Sequence, residues 1–249
     1  MSRGEMRIGT FGYQYDHWKG VFYPEKLGKR DWFEHYTKHF DTVEINNTFY
    51  QLPEPSTFDV WRDRAPKGFR YALKFSRYGT HMKKLKDPEA SLSMFLERAE
   101  RLKAFLGPIL VQLPPHWKCN PERLDAFLTV APKRHRWAVE LREPSWLCDE
   151  VYALLRQHNA ALCLHDMLPE HPEVFTVDWT YLRFHGPQYT RKYQGAYSTQ
   201  AINSIAGRVR GYLDDGRDVY AYFNNDEHGH AVKNALQLRK DGRTRAIDP

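Results

Sequence analysis

Asp87-Pro88-Glu89-Ala90-Ser91-Leu92-Ser93-Met94-Phe95-Leu96-Glu97-Arg98-Ala99-Glu100-Arg101-Leu102-Lys103-Ala104-Phe105-Leu106-Gly107-Pro108-Ile109-Leu110-Val111-Gln112 reads as one helix leading into one buried strand. Asp87-Pro88 supplies a capping residue and a first-turn proline, and the apolar positions up to Leu106 recur at helical spacing. Gly107-Pro108 ends the helix before the β-branched run at Ile109. Outward in both directions the same rhythm repeats. Strand-like segments begin near Arg7, Thr42, Arg70, Ile109, Trp137, Ala161, Tyr181 and Val219, an interval of about thirty residues, which is the span of one βα unit. Asn120-Pro121 starts the helix after the fourth strand. Ser198 caps Gln200–Leu213, where Ile202, Ile205, Val209 and Leu213 keep helical spacing until Asp214-Asp215-Gly216. Between Asp166 and Thr180 the chain is too short and too rich in proline for a full helix, so a crossover with only a rudimentary helix is expected after strand six. Eight such units predict an α/β fold of the (β/α)8 TIM-barrel class with a parallel closed sheet, because closure removes both unpaired edges. A doubly wound open sheet is the competing fold, but Gly9-Thr10-Phe11-Gly12 lacks the third glycine of a dinucleotide-binding loop.

The 249 residues suit a single barrel domain, with a core from about 7 to 238 and a basic tail over 239–249. Apolar residues make up 41% of the chain, enough for a large core, and charges are interspersed rather than blocked. The net charge of +6 favours anionic partners without choosing among metabolites, phosphates and nucleic acid. Three cysteines, Cys119, Cys148 and Cys163, suggest neither a disulfide framework nor a zinc site. The first residues lack the apolar core of a signal peptide, and no run is long enough to span a bilayer. These features together predict a cytoplasmic protein without membrane contact.

Function is read from the strand ends. Residues two apart on a strand share a face, which pairs Glu44 with Asn46, Glu140 with Arg142, Arg183 with His185 and Tyr222 with Asn224. Lys74, Gln112 and His165-Asp166 hold comparable positions on other strands. Barrel interiors are normally filled by branched apolar side chains, so charges at several strand ends mark a polar site, and active sites in this fold lie at that end. An internal network of ion pairs is the structural alternative. Lys74, Arg142 and Arg183 balance Glu44, Glu140 and Asp166, while Arg77, His81, Arg191 and Lys192 in the following loops tip the rim positive. Tyr13, Tyr15, Trp18, Phe49, Tyr50, Trp146, Tyr189, Tyr193 and Tyr197 offer rings for stacking or for covering the core.

Gly9-Thr10-Phe11-Gly12-Tyr13, Phe22-Tyr23-Pro24, Val43-Glu44-Ile45-Asn46-Asn47-Thr48-Phe49-Tyr50, Gln112-Leu113-Pro114-Pro115, Ala138-Val139-Glu140-Leu141-Arg142-Glu143-Pro144-Ser145-Trp146, Arg183-Phe184-His185-Gly186 and Tyr222-Phe223-Asn224-Asn225-Asp226 follow one another in this order. On these motifs, over roughly residues 7–238, the chain resembles the YecE-like proteins, domain of unknown function 72. The resemblance implies a TIM-barrel fold and supplies no mechanism. It implies site residues at Glu44, Asn46, Thr48, Tyr50, Lys74, His81, Gln112, Glu140, Arg142, Trp146, Arg183, His185, Asn224 and Asn225. Phe11 stands where the family commonly has serine, and Glu143 where it commonly has histidine.

The chemistry expected first is that of an acid–base enzyme acting on a small anionic molecule, phosphorylated or carboxylated. Glu140 or Glu44 is then the base, Lys74, Arg142 and Arg183 stabilise charge, and His185 or His81 is the acid. No cofactor is expected. A metal-dependent phosphodiesterase is the alternative, with a divalent ion on some of Glu44, Glu140, His165, Asp166 and His185. His228-Gly229-His230 reads as surface sequence rather than a metal motif. A non-catalytic nucleic-acid binder is the third possibility and is not favoured, since no continuous basic helix or recognised module appears. The oligomeric state is not legible.

Overall fold

The computed structural model describes residues 2–188 and 193–243. Its eight strands are β1 (Met6–Thr10), β2 (Thr42–Ile45), β3 (Arg70–Lys74), β4 (Leu106–Gln112), β5 (Trp137–Glu140), β6 (Ala160–His165), β7 (Trp179–Phe184) and β8 (Asp218–Phe223). They form one parallel sheet in the order β1-β8-β7-β6-β5-β4-β3-β2, and the chain has the (β/α)8 barrel fold expected of it. Its helices are α1 (Trp32–Thr37), α2 (Asn47–Tyr50), α3 (Pro55–Arg64), α4 (Pro88–Ala99), α5 (Pro121–Val130), α6 (Asp149–Gln157), α7 (Thr199–Asp214) and α8 (His230–Arg243). Contacts divide the chain into two units, Met1–Val43 with His165–Pro169 and Asp178–Pro249, and Glu44–Leu164 with Glu170–Val177.

In the first unit β8 pairs with both β1 and β7, and α7 buries Ile202, Ala206, Val209 and Leu213 behind them. The Ser198 hydroxyl caps α7 by accepting from Ala201 N at 3.1 Å. Gly9 in β1 has no room for a side chain, because a Cβ there would sit 2.4 Å from the Thr42 carbonyl oxygen and 3.0 Å from the Tyr36 hydroxyl. That hydroxyl accepts from Thr10 N and donates to Thr42 O, so it bridges two strands. Gly9→Ala is therefore expected to destabilise the protein by about 1–3 kcal/mol through overpacking against backbone. An unchanged urea midpoint would show that the strands can move apart at no cost.

The basic segment at the C-terminal end differs from the expected tail. Helix α8 continues to Arg243, because Arg239 lies 3.0 Å from Asp41 and Arg210 donates to the Asp241 carbonyl at 2.9 Å. Residues 244–249 of that tail lie outside the described residues.

In the second unit β4 pairs with β3 and β5, and β5 with β6. Residues 87–112 differ from expectation in two features. Helix α4 buries Leu92, Phe95, Leu96 and Ala99, but it gives way to a 3-10 segment, Glu100–Phe105, broken where Lys103 takes φ +51°. Asp87 does not cap it: its backbone is left-handed, with φ +46°, whereas a capping side chain needs extended backbone. Gly107-Pro108 lies inside β4, at the bulge where the pairing shifts from Tyr71↔Leu106 to Leu73↔Ile109. A bulge leaves a residue unpaired and so tolerates a proline without an amide hydrogen. Asn120 does cap α5, accepting from Arg123 N at 2.9 Å. The rudimentary helix expected between β6 and β7 does not form, since Pro169 and Pro172 interrupt the short segment that joins them. In its place Thr176 Oγ1 donates to Ala160 O at 2.6 Å and accepts from Leu162 N at 2.9 Å.

No helix among the described residues is long and apolar enough to cross a membrane. The three cysteines are free thiols. Cys119 and Cys148, distant in sequence, nevertheless interact, and burial first, then Cys148, pushes the Cys119 thiol up to about 11.

Candidate functional site

The second unit gathers polar side chains at the C-terminal ends of β3, β4 and β5. Lys74 closes β3, Gln112 closes β4 and Glu140 closes β5. Lys74 is opposite Leu110, and Gln112 is opposite Glu140. Leu110 and Gln112 are two apart, so Lys74, Gln112 and Glu140 share one face of the sheet. Glu140 is fully buried and accepts a hydrogen bond from Arg142 Nε. Lys74, 7% exposed, holds its ammonium 3.8 Å above the centre of the Phe49 ring, an attraction to the ring's negative face. Thr48 donates to the Lys74 carbonyl at 2.8 Å and so ties α2 to β3. Glu44, also fully buried, accepts from Asn46 Nδ2 at 2.9 Å.

His81 completes this group. It lies in a single π-helical turn, Tyr78–Met82, a rare backbone form that recurs at functional positions. Gly79 permits the turn to pack, because a Cβ there would meet the Phe75 ring at 2.6 Å. The Phe49 ring meets the imidazole edge to face at 5.0 Å. Thr80 Oγ1 spends its single proton on Ser76 O and lies 2.9 Å from His81 Nδ1. The hydroxyl can then only accept from that nitrogen, so Nδ1 carries the proton in neutral His81 and Nε2 keeps the lone pair. Burial, then Lys74, Arg142 and Arg77, lower the His81 pKa to about 4, opposed by Glu140.

The first unit holds a second group. The Asp166 carboxylate accepts from His185 N at 2.8 Å, from the Tyr197 hydroxyl, and from His185 Nδ1 at 3.1 Å. His185 therefore carries its Nδ1 proton toward Asp166. The Arg183 guanidinium carbon sits 4.1 Å above the Phe11 ring, whose edge contact with His185 spans 5.6 Å. Phe11 thus gives Arg183 an aromatic face that a serine would not. His165 Nδ1 accepts from Met167 N at 3.1 Å.

Other sequence candidates are engaged in packing. Trp146 is buried and its indole N–H donates to the Trp117 carbonyl at 2.6 Å. Tyr13 packs on Phe33 and Tyr36. Asn225 Nδ2 joins Gly195 O and Asn234 Oδ1, both at 2.9 Å. Asn224 is half-buried, its amide donating to Phe184 O. Tyr50 is 76% exposed and stands edge-on to Phe49. Glu143 serves its own loop, pairing with Lys118 at 2.7 Å and capping Ser145 N at 3.0 Å. Burial raises its pKa, but these donors outweigh burial and hold it below the usual carboxylate range. Tyr189, Arg191 and Lys192 lie outside the described residues. Among the described residues no three His, Cys, Asp or Glu side chains group as metal ligands. Thr80 and Ser76, which fix the His81 tautomer, carry no signal in the sequence.

A parallel α/β barrel with charged strand ends is the class that fold and site define. The chain belongs to the family described as protein of unknown function DUF72, whose model matches residues 7–247. It is 33% identical over 116 residues to the UPF0759 protein YecE of Escherichia coli K12, a match covering 45% of this chain and 42% of that protein. The chain thus spans under half the length of that relative. To the UPF0759 protein YunF of Bacillus subtilis it is 24% identical over 254 residues, 87% of this chain and 88% of that one. The crystal structure of a DUF72 family protein from Thermotoga maritima is similar at a TM-score of 0.83 and 29% identity, over 95% of this chain and 98% of that one. D-psicose 3-epimerase of Clostridium cellulolyticum, solved with D-tagatose, shares the fold at a TM-score of 0.58 and 13% identity, over 95% and 96% of the two chains.

Proposed function

We propose that the chain is an acid–base enzyme acting on a small carboxylated or phosphorylated molecule bound at the C-terminal ends of β3, β4 and β5. The observation that carries this reading is that Lys74 and His81 both pack on the Phe49 ring, with Arg142 held by the buried Glu140, in a setting where burial and then Lys74, Arg142 and Arg77 disfavour a charged imidazole. Cations that suppress one histidine's charge suit an anion: lysine offers a compact charge and arginine a planar fork. Glu140 aligns Arg142 through Nε, and Glu44 aligns the Asn46 amide. His81 Nε2, with its lone pair fixed by Thr80, is the proton acceptor.

A base with a pKa near 4 is weak at neutral pH, whereas general bases work best near the operating pH. An anion settling among the cations offsets their effect and raises the imidazole pKa back toward its ordinary value, so the substrate itself activates the base. The test is the His81 ring titration followed by NMR, with and without inorganic phosphate or malonate. The pKa is expected to climb with either anion in the wild type. In Lys74→Met it is expected to start higher, since one suppressing charge is gone, and to respond less. A His81 titration indifferent to both anions would sink the proposal.

A further inference from the structure

Gln112 is the one strand-end residue of this group whose chemistry the proposed function does not use. It is 4% exposed, shares a sheet face with Lys74 and Glu140, and its Oε1 has no hydrogen-bond donor among the described residues. Barrel interiors are filled by branched apolar residues, and a leucine or methionine would occupy this position without burying an unmatched carbonyl. Buried amide oxygens are almost always paired, so this one calls for a partner.

A phosphate dianion or a carboxylate cannot be that partner, because neither has a proton to give. Lys74 and Arg142 answer the anion. Gln112 Oε1 and His81 Nε2 are both acceptors and answer something else. Resting on the proposed function, we infer that the substrate is a hydroxylated anion, a polyol phosphate or hydroxy acid, whose hydroxyl donates to Gln112 Oε1 while its anionic group engages Lys74 and Arg142. A hydroxyl near the lone pair of His81 is also the type of group from which, or from whose neighbouring carbon, a base removes a proton.

Calorimetric titration of glycerol 3-phosphate against 1-propyl phosphate separates the two groups, since the molecules share the phosphate and differ in hydroxyls. Glycerate against propionate repeats the comparison on a carboxylate. The wild type is expected to prefer the hydroxylated member by about tenfold or more, because a site built to hydrogen-bond a hydroxyl rejects the analogue without it. Gln112→Leu should lose that preference and keep its affinity for propyl phosphate. It should also melt about 2–4 °C higher, through relief of the buried carbonyl. Gln112→Met serves the same purpose should the leucine pack badly. Equal binding of both members, with the His81 pKa raised by each, would leave the anion reading standing and overturn the hydroxyl. A preference that survives in both Gln112 variants overturns it as well. If neither phosphate nor either carboxylate binds, the proposed function falls and takes this inference with it.

Discussion

Glu140→Ala is expected to lower the free energy of unfolding by about 3–5 kcal/mol, the loss typical of removing one partner from a buried ion pair. Glu140 is fully buried at the end of β5, and the Arg142 guanidinium donates to it from a largely buried position. Without the carboxylate, that guanidinium keeps the desolvation cost of its charge and loses a charged acceptor. Glu140→Gln preserves shape and one acceptor oxygen, so a smaller loss of about 1–3 kcal/mol is expected. The order matters more than the values: alanine worse than glutamine, both worse than wild type, measured by guanidinium unfolding. Should alanine cost under about 1 kcal/mol, the pair would be no more than a surface contact.

The second large effect is a pH dependence carried by His81. Its pKa falls from 6.5 to about 4 in the folded protein, first through burial and then through Lys74, Arg142 and Arg77. In the unfolded chain the imidazole protonates as pH drops through 6.5, while in the fold it stays neutral until about 4. The unfolded state therefore binds more protons across that window, and stability falls as pH falls. The contribution is complete above pH 6.5 and gone below pH 4. Its size is about 2–3 kcal/mol, allowing for solvent screening of a half-buried ring. His35, His171 and His230 are also shifted down, each first by burial, and add slopes of the same sign. The readout is thus the difference between wild type and His81→Gln. From pH 7 to pH 4 the wild-type unfolding midpoint should fall relative to the variant's, because only the wild type carries a ring whose protonation the fold resists. Parallel curves would place the imidazole in solvent.

The barrel was legible because its elements obey local rules. Thr42, Arg70 and Trp137 begin strands where β-branched and aromatic runs begin, and Asn120 and Ser198 cap helices as their type demands. Elsewhere tertiary packing overrode those rules. Gly107-Pro108 looks like a helix stop, yet a bulge absorbs it into β4. Asp87 looks like a cap, yet the left-handed turns at Lys84, Leu85 and Asp87 aim the chain differently. Residues 239–243 look like a polar tail, yet contacts with Asp41 and Arg210 keep them helical. The site shows the same division. Strand parity brought out Lys74, Gln112, Glu140 and Arg142, since alternation is a property of the sequence itself. The state of His81 was invisible, because it depends on a π turn, on the direction of one threonine hydroxyl, and on cations drawn from separate segments.

Thr176 has a consequence for the timing of local motions. Its hydroxyl both gives and takes a hydrogen bond at the start of β6, as a peptide group of a neighbouring strand would. The Leu162 amide is consequently guarded by a side chain, and its escape to solvent requires only that segment 170–177 lift away, not that two strands separate. The paired stretches Ile109–Gln112 and Trp137–Glu140 have no such private exit, since they face backbone on the adjoining strand. Isotope exchange at Leu162 would then run on the clock of a crossover loop while the strands beside it keep the clock of global unfolding.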